Sequence, residues 1–354
     1  MNENFNNKTK VCFIGFGKRT KLFYAPILKK LKDDFDLCGF TKKSEDNSEQ
    51  IIKEYDIKFC NSVETLIDQF IPDLLILSVP SSEVLNILEK LNNLNCVIFI
   101  DTPFFWAAPE INDLNILVSE QWPFLPIEQF KKILINSGFL GETFYAENES
   151  RTFEYHGIAQ LRNYFSKDKK ISKITGSNIS RPGEDWQFGI VRHQDNSGFL
   201  YKFSYYVKKC PFRPHQALKI YLTKGSIISG CLNEKGNDYE ILKISQDVNG
   251  STQHFDAQVK RSKLEINNKE TSYHSGPNYY ELESISCNLQ NEKRIIWNNP
   301  FAGHGFNDQE IAIATLLKNA KEFIAGENAL RYPAKTAAED VLILNHIQQS
   351  SIHN

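Results

Sequence analysis

The feature that most constrains this chain is the unit it opens with. Apolar Val11–Ile14 enters Gly15-Phe16-Gly17-Lys18-Arg19-Thr20, and a segment of helical character follows from about Lys21 to Lys32. Strand, glycine turn and helix form the smallest piece of a parallel α/β sheet, because parallel neighbours need a crossover. The unit then recurs. Leu37–Thr41 reads as a second strand, Ser48–Tyr55 as a helix, Ile57–Cys60 as a short strand, and Val63–Phe70 as a helix. Asp73–Val79 is a strongly apolar strand. Ser82–Asn93 carries Val84, Leu85, Leu88 and Leu91 at helical spacing, and Cys96–Ile100 and Asn115–Val118 complete the series. Short all-apolar strands alternating with helices predict an α/β fold whose parallel sheet is covered on both faces.

The texture changes after Pro126. Ile127–Ser137 reads as a helix that stops at Gly138. From about Phe144 to Trp297, β-branched and aromatic residues alternate, as in Phe199–Val207, Ala217–Leu222 and Glu240–Ser245. Gly236-Asn237 and Asn249-Gly250 supply turns between them. Asp308–Ala325 and Ala334–Gln349 return to helix. The expected organisation is a Rossmann-type parallel-sheet domain over residues 1–122. An α+β domain with a large, mostly antiparallel sheet and C-terminal helices follows over 123–354, with a cleft between the two.

The first glycine of the opening loop permits the tight turn, and the second lets backbone approach a pyrophosphate. The helix start then offers N–H groups to an anion. The third glycine of the dinucleotide fingerprint is Thr20. The second strand ends in Thr41-Lys42-Lys43, where an NAD site places an acid for the ribose 2′-hydroxyl. A hydroxyl and two lysines suit a 2′-phosphate, with Lys18 and Arg19 adding charge to the same pocket. The other reading of these cations is a solvated surface. The cofactor expected is NADP, with NAD as the alternative.

Composition excludes several function classes. The formal net charge is -2, so no global positive field is available to hold nucleic acid. The longest apolar runs, such as Leu74–Val79, are strand-sized and too short to span a bilayer. Met1–Lys10 is polar and lacks the apolar core of a secretory signal. Seven cysteines lie scattered without a C-x-x-C pair, as expected of a reduced, cytoplasmic protein. No Cys/His pairs have zinc-ligand spacing, and no G-x-S-x-G elbow appears.

With these motifs in order, the chain resembles the Gfo/Idh/MocA oxidoreductase family. Val11-Cys12-Phe13-Ile14-Gly15-Phe16-Gly17-Lys18 is similar to the start of several members. Ser78-Val79-Pro80 matches the segment that lies against the nicotinamide ribose. Asp101-Thr102-Pro103 stands where the family has Glu-Lys-Pro. Glu120–Pro126, with Trp122, stands at the entry to the family's second domain, and Ser137–Glu142 is similar to its S-G-x-L-G-E turn. The resemblance implies hydride transfer between a nicotinamide and a small polar substrate, with a Lys and a His managing the proton.

This chain departs from that pattern. The lysine position is Thr102. The family's later Asp, Gly, His motif aligns with Tyr155-His156-Gly157-Ile158-Ala159, so that the Asp position is Tyr155 and the His position Ala159. A local polar run takes their place. If Gly157–Tyr164 is helical, His156, Gln160 and Asn163 share one face, and Tyr155 and Arg162 another. His156 and Tyr155 are the candidate proton donors, and Trp122, Gln160 and Arg162 the candidate substrate contacts. The alternative is a hydrogen-bonded structural histidine and an arginine paired with a core carboxylate.

The function expected is NAD(P)-dependent oxidation or reduction of a carbonyl or imine on a sugar-like or amino-acid-like substrate. The rivals are a non-catalytic scaffold subunit of the same fold and a carbohydrate-binding module built on the sheet. Two further clusters, Cys210–His215 and Arg181, Asp185, Trp186, Arg192 and His193, are weaker candidates for the substrate side. A homodimer or higher oligomer is expected through the sheet of the second domain.

Overall fold

The computed structural model describes residues 8–91, 94–102, 114–149, 154–181, 184–204, 217–229, 242–264, 279–289 and 293–352. The chain forms two compact units. Unit 1 contains Met1–Gln121 and Gly303–Ala338, and unit 2 contains Trp122–Leu264, Tyr280–Ala302 and Glu339–Asn354.

Unit 1 is built on six strands: β1 (Thr9–Ile14), β2 (Phe35–Thr41), β3 (Lys58–Phe59), β4 (Leu74–Leu77), β5 (Val97–Ile100) and β6 (Asn115–Val118). Their order is β3-β2-β1-β4-β5-β6, and every pairing is parallel. Four helices cross between them: α1 (Ala25–Lys30), α2 (Ser48–Tyr55), α3 (Val63–Phe70) and α4 (Ser81–Lys90). The continuous apolar runs are explained by burial on both faces: all of β4 and β5 is buried. α3 starts where Ser62 accepts the backbone N–H of Thr65 at 3.1 Å. The expected helix from Lys21 begins differently, with a π-helical segment, Thr20–Tyr24, ahead of α1.

Unit 2 opens with a 3₁₀ turn, Trp122–Phe124, and α5 (Pro126–Asn136). β7 (Thr143–Glu149) leads to α6 (Glu154–Arg162) and then to β8 (Ile171–Arg181), β9 (Glu184–His193) and β10 (Gly198–Ser204). β11 (Ala217–Leu222), β12 (Gly225–Ser229), β13 (Leu242–Val248) and β14 (Ser251–Asp256) complete an eight-stranded sheet ordered β14-β13-β12-β11-β7-β10-β9-β8. The sheet is antiparallel except between β7 and β10. Asn249 and Gly250 take positive φ (54° and 81°) between β13 and β14, the conformation that a tight hairpin needs. β15 (Gln258–Leu264), β16 (Tyr279–Asn288) and β17 (Arg294–Asn298) form a three-stranded sheet.

Two long helices close the chain. α7 (Asp308–Ile324) starts in a capping box between Asn307 and Glu310 and belongs to unit 1, where Lys318 and Lys321 reach Asp34 just before β2. α8 (Ala334–Ile352) places Ile347 against the sheet of unit 2. Gly176 of β8 and Gly189 of β9 face each other in register, and both meet Ile347, so that paired small residues make its seat. The opposite face of the same strands stays open. Ile179 is 61% and Ile190 56% exposed, beside Trp186 stacked on Phe188. Among the described residues, no helix is long and apolar enough to cross a membrane.

Candidate functional site

Because the strands of unit 1 all run the same way, the segments after β1, β2, β4 and β5 leave the sheet at one edge. β1 and β4 are neighbours at the point where the strand order reverses, which is where open α/β sheets bind ligands. Gly15 turns the chain there with φ +88° and donates its N–H to the Thr41 carbonyl at 2.8 Å. A Cβ on Gly15 would stand 2.2 Å from the Ser78 carbonyl oxygen, so the loop after β1 lies directly on the loop after β4. Gly17 differs. Its φ is not positive, and a Cβ there would meet nothing within 4 Å. Its bare Cα serves no contact within the described chain, which is what the close approach of a pyrophosphate calls for.

Thr20 holds the third fingerprint position by another means. Its side chain is fully buried, and its hydroxyl donates to the Gly15 carbonyl at 3.0 Å. Phe16 packs into the core against Phe13, Phe40 and Tyr55, so it anchors the loop from beneath and only its backbone is available to a ligand. Ser78 donates its N–H to the Ile14 carbonyl, Val79 stands beside Gly15, and Pro80 opens α4.

The cations divide. Thr41 is buried, Lys42 donates to the Asp46 carbonyl, and Lys43 extends into solvent, 3.9 Å from Glu83. Arg19 was expected to join them and does not. Its Nε lies 3.3 Å from Asp101 Oδ1, its Nη2 donates to Gln121 Oε1 at 2.9 Å, and its guanidinium covers the Phe23 ring at 4.5 Å. The carboxylate that ends β5 and the Gln121 amide oxygen hold it there. Asp101 Oδ1 also accepts the Tyr24 hydroxyl at 2.7 Å and the Thr102 N–H at 2.9 Å. Burial, and then the Asp101 charge, push the Tyr24 hydroxyl above its ordinary pKa, so it remains a donor. A guanidinium thus stands at Asp101, beside Thr102. Pro103 lies outside the described residues.

In unit 2, α6 carries the second set. Tyr155 and His156 are buried, with their rings 4.3 Å apart, and the Trp122 ring lies 6.0 Å from that of His156. Gly157 lets α6 come close to the sheet: a Cβ there would be 2.7 Å from Asn148 Nδ2 and 2.9 Å from the Tyr201 ring. Gln160 and Arg162 do not join this group. The Gln160 amide donates to Glu128 Oε1 at 3.0 Å, within a buried cluster where Lys131 Nζ reaches the same oxygen at 2.7 Å and Ser229 Oγ at 2.9 Å. The Tyr164 hydroxyl donates to the other Glu128 oxygen. Arg162 pairs with Glu339 at 2.6 Å and with buried Asp340. Both side chains are held by carboxylates that enter from α5 and α8, and for Arg162 this is the pairing with a core carboxylate that stood as the alternative reading.

Of the two further clusters, Arg192 is exposed and donates to Asn196, whereas His193 is buried on the other face. Cys210–His215 lies outside the described residues. Tyr24, Ser119 and Gln121 were missed by sequence reasoning. Tyr24 donates to Asp101, Ser119 lies beside the Tyr24 hydroxyl, and Gln121 accepts from Arg19. Their one available signal was position, one helical turn past the loop and just after β6.

Residues 9–121 match the family described as oxidoreductase family, NAD-binding Rossmann fold (GFO_IDH_MocA). No curated protein matches the chain in sequence. Solved structures are similar to it in fold over nearly their full lengths. An oxidoreductase from Agrobacterium radiobacter, in complex with NAD+, L-tartaric acid and magnesium, superposes with a TM-score of 0.67 at 12% identity and covers 98% of this chain and 97% of its own. UDP-N-acetylglucosamine 3-dehydrogenase from Acidithiobacillus ferrooxidans gives 0.64 at 11%, covering 97% and 98%. Levoglucosan dehydrogenase, in complex with NADH and L-sorbose, gives 0.66 at 13%, covering 98% and 97%.

Proposed function

From a chain whose residues 9–121 belong to the NAD-binding Rossmann domain of the Gfo/Idh/MocA oxidoreductase family, we propose an NAD(P)-dependent oxidoreductase. Its substrate is a small polar molecule, sugar-like or amino-acid-like, that reacts at a carbonyl or imine carbon. The observation that carries this reading is the pair of glycines. Gly15 is required by the fold, while Gly17 is left bare by it at the edge where β1 and β4 part. A bound nicotinamide dinucleotide supplies the hydride donor or acceptor. The backbone of Gly15–Thr20 would hold its pyrophosphate, and Ser78, Val79 and Pro80 its nicotinamide half.

No acid stands at the end of β2, and Thr41, Lys42 and Lys43 are the groups offered to a ribose 2′-substituent. That favours NADPH over NADH. Asp101 and Thr102 end β5, and Arg19 brings them the positive charge that the missing lysine would otherwise supply. His156, with Tyr155 against its ring, is the proton donor to the substrate oxygen or nitrogen, and Trp122 lines the same cluster. The sugar-related names among the fold neighbours support the substrate class. The open face of β8 and β9, with Ile179, Trp186, Phe188 and Ile190, supports a homodimer or higher oligomer of this chain.

The test is a titration with NADPH and with NADH, read by energy transfer from the four tryptophans to the reduced nicotinamide. Binding of NADPH at about micromolar levels or tighter, and better than NADH, is the expected result. A preference for NADH removes Lys42 and Lys43 from the site. Binding of neither by folded protein overturns the oxidoreductase reading.

A further inference from the structure

Unit 2 contains a cavity of about 1090 Å³ that the proposed chemistry does not use. Its walls are the end of α5, the turn between α5 and β7, the segment that follows α6, and the turn from β9 to β10. Four lysines line it (Lys132, Lys167, Lys169 and Lys170) against three carboxylates (Glu142, Asp168 and Asp195). One pair is already spent: Lys169 Nζ lies 2.7 Å from Asp195 Oδ2. Asp168 accepts from Ser166. Lys132 is half-buried. Burial, and then the charge of Lys167, lower its pKa, so a partly desolvated ammonium stands near the exposed one of Lys167.

His193 lines the same cavity, and its protonation pattern follows from its partners. Ser197 Oγ has one proton and donates it to Asp195 Oδ1 at 2.6 Å. Lys169 Nζ donates to the same hydroxyl oxygen at 3.2 Å. His193 Nδ1 lies 3.0 Å from that oxygen, so Nδ1 must carry the proton and donate. Burial keeps the ring below its ordinary pKa, so it is neutral near pH 7, and Nε2 is its hydrogen-bond acceptor. Thr143, on the cavity wall, has a buried hydroxyl without a hydrogen-bond partner among the described residues. The cavity therefore joins surplus cations to an imidazole acceptor and an unused hydroxyl.

We propose that this cavity binds hydrogen phosphate, with its anionic oxygens on Lys132 and Lys167 and its P–OH donated to His193. Sulfate has the same shape but no proton at neutral pH, so it would set a lone pair against the Nε2 lone pair. A phosphate ester, whose second pKa is about 6, has also lost most of that proton at pH 7.5. The site is independent of the dinucleotide loop and does not need that loop to bind anything.

The test reads the ring itself. Full-length protein with ¹⁵N-labelled histidine is titrated at pH 7.5 and constant ionic strength with inorganic phosphate, sulfate and glycerol 2-phosphate. The His193 signals are assigned with His193→Gln. Long-range ¹⁵N–¹H spectra should give the Nδ1–H tautomer. Phosphate should shift the His193 signals along a saturable curve, at least about tenfold tighter than sulfate. The exposed double variant Lys167→Gln/Lys170→Gln, which spares the packed core, should weaken phosphate at least about threefold. Glycerol 2-phosphate, which has lost most of its P–OH proton at this pH, should bind about as weakly as sulfate, and an ester that matches inorganic phosphate overturns the role given to the P–OH. An Nε2–H tautomer, a phosphate titration that leaves His193 unmoved, equal effects of phosphate and sulfate, or a double variant that binds as the wild type each overturn the proposal. Phosphate held in the dinucleotide loop would not move the His193 signals, so failure of this site and failure of the cofactor reading are seen separately.

Discussion

Gly15 and Gly17 lie two residues apart in one loop, yet a methyl group added to each should act on different quantities. At Gly15, φ is +88°, where an L-residue costs roughly 1–2 kcal/mol. The added Cβ would also sit 2.2 Å from the Ser78 carbonyl oxygen and 2.8 Å from Val79 Cγ1. A backbone oxygen cannot turn aside as a long side chain can, so overpacking adds about 1–3 kcal/mol. Gly15→Ala should thus lose about 2–5 kcal/mol, a large share of a typical total of about 5–15 kcal/mol. At Gly17 neither cost arises, since φ is not positive and nothing lies within 4 Å of the new Cβ. Gly17→Ala should stay within about 0.5 kcal/mol of the wild type. It should bind NADPH at least about tenfold more weakly, because its methyl occupies the approach of the pyrophosphate. Urea unfolding measures the first quantity and calorimetric titration the second. A Gly15→Ala protein as stable as the wild type would refute the strain reasoning. A folded Gly17→Ala protein with unchanged affinity would refute the placement of the dinucleotide.

Other outcomes follow from the same contacts. The double substitution His156→Asn with Tyr155→Phe should lower turnover at least about 100-fold and leave NADPH affinity unchanged; unchanged turnover in a substrate assay would remove both residues from the chemistry. Lys131→Met removes the ammonium paired with buried Glu128 and should cost about 3–5 kcal/mol in urea unfolding, while adding Glu128→Gln should restore much of it in a double-mutant cycle. Burial alone would raise the pKa of Asp34, but hydrogen bonds from Lys321 and Lys318 outweigh it and hold the carboxyl below its ordinary 3.8. A depressed carboxylate contributes stability that is complete above its unfolded pKa and is lost as pH falls through the folded value. The wild type should therefore lose more stability than Asp34→Asn as pH drops below about 4, read by thermal unfolding across that range.

The strands and helices of unit 1 were legible because each depends on local pattern. α2, α3 and β6 lie at the residues their periodicity predicted, and the four apolar residues of β4 could only be a strand buried on both faces. The glycine loop was legible for the same reason, since a tight turn writes its backbone requirement into the residue type. Arg19 was not. It is surrounded in sequence by Lys18, Lys21 and the lysines of the next loop, but its partners Asp101 and Gln121 come from the far end of unit 1. The particular partners of Gln160 and Arg162 were hidden in the same way. Helical spacing gives the face a residue occupies, and the choice of carboxylate belongs to α5 and α8.

The sequence by itself determined the alternation of strand and helix, the turn at Gly15, and the aromatic, β-branched texture of unit 2. These are properties of a residue and its near neighbours, set by sterics and by periods of two and 3.6 residues. Tertiary structure alone decided that α7, close to 300 residues after β1, joins the unit that β1 begins. It also decided that Thr20 secures the loop through a hydroxyl, that Arg19 answers Asp101, and that His156 lies between Tyr155 and Trp122 while Gln160 does not. The contacts of Arg19 with Asp101, of His156 with Trp122 and of Gln160 with Glu128 each cross a separation that no local pattern encodes. Opposite charges and buried polar groups take the partners that packing brings within about 3 Å.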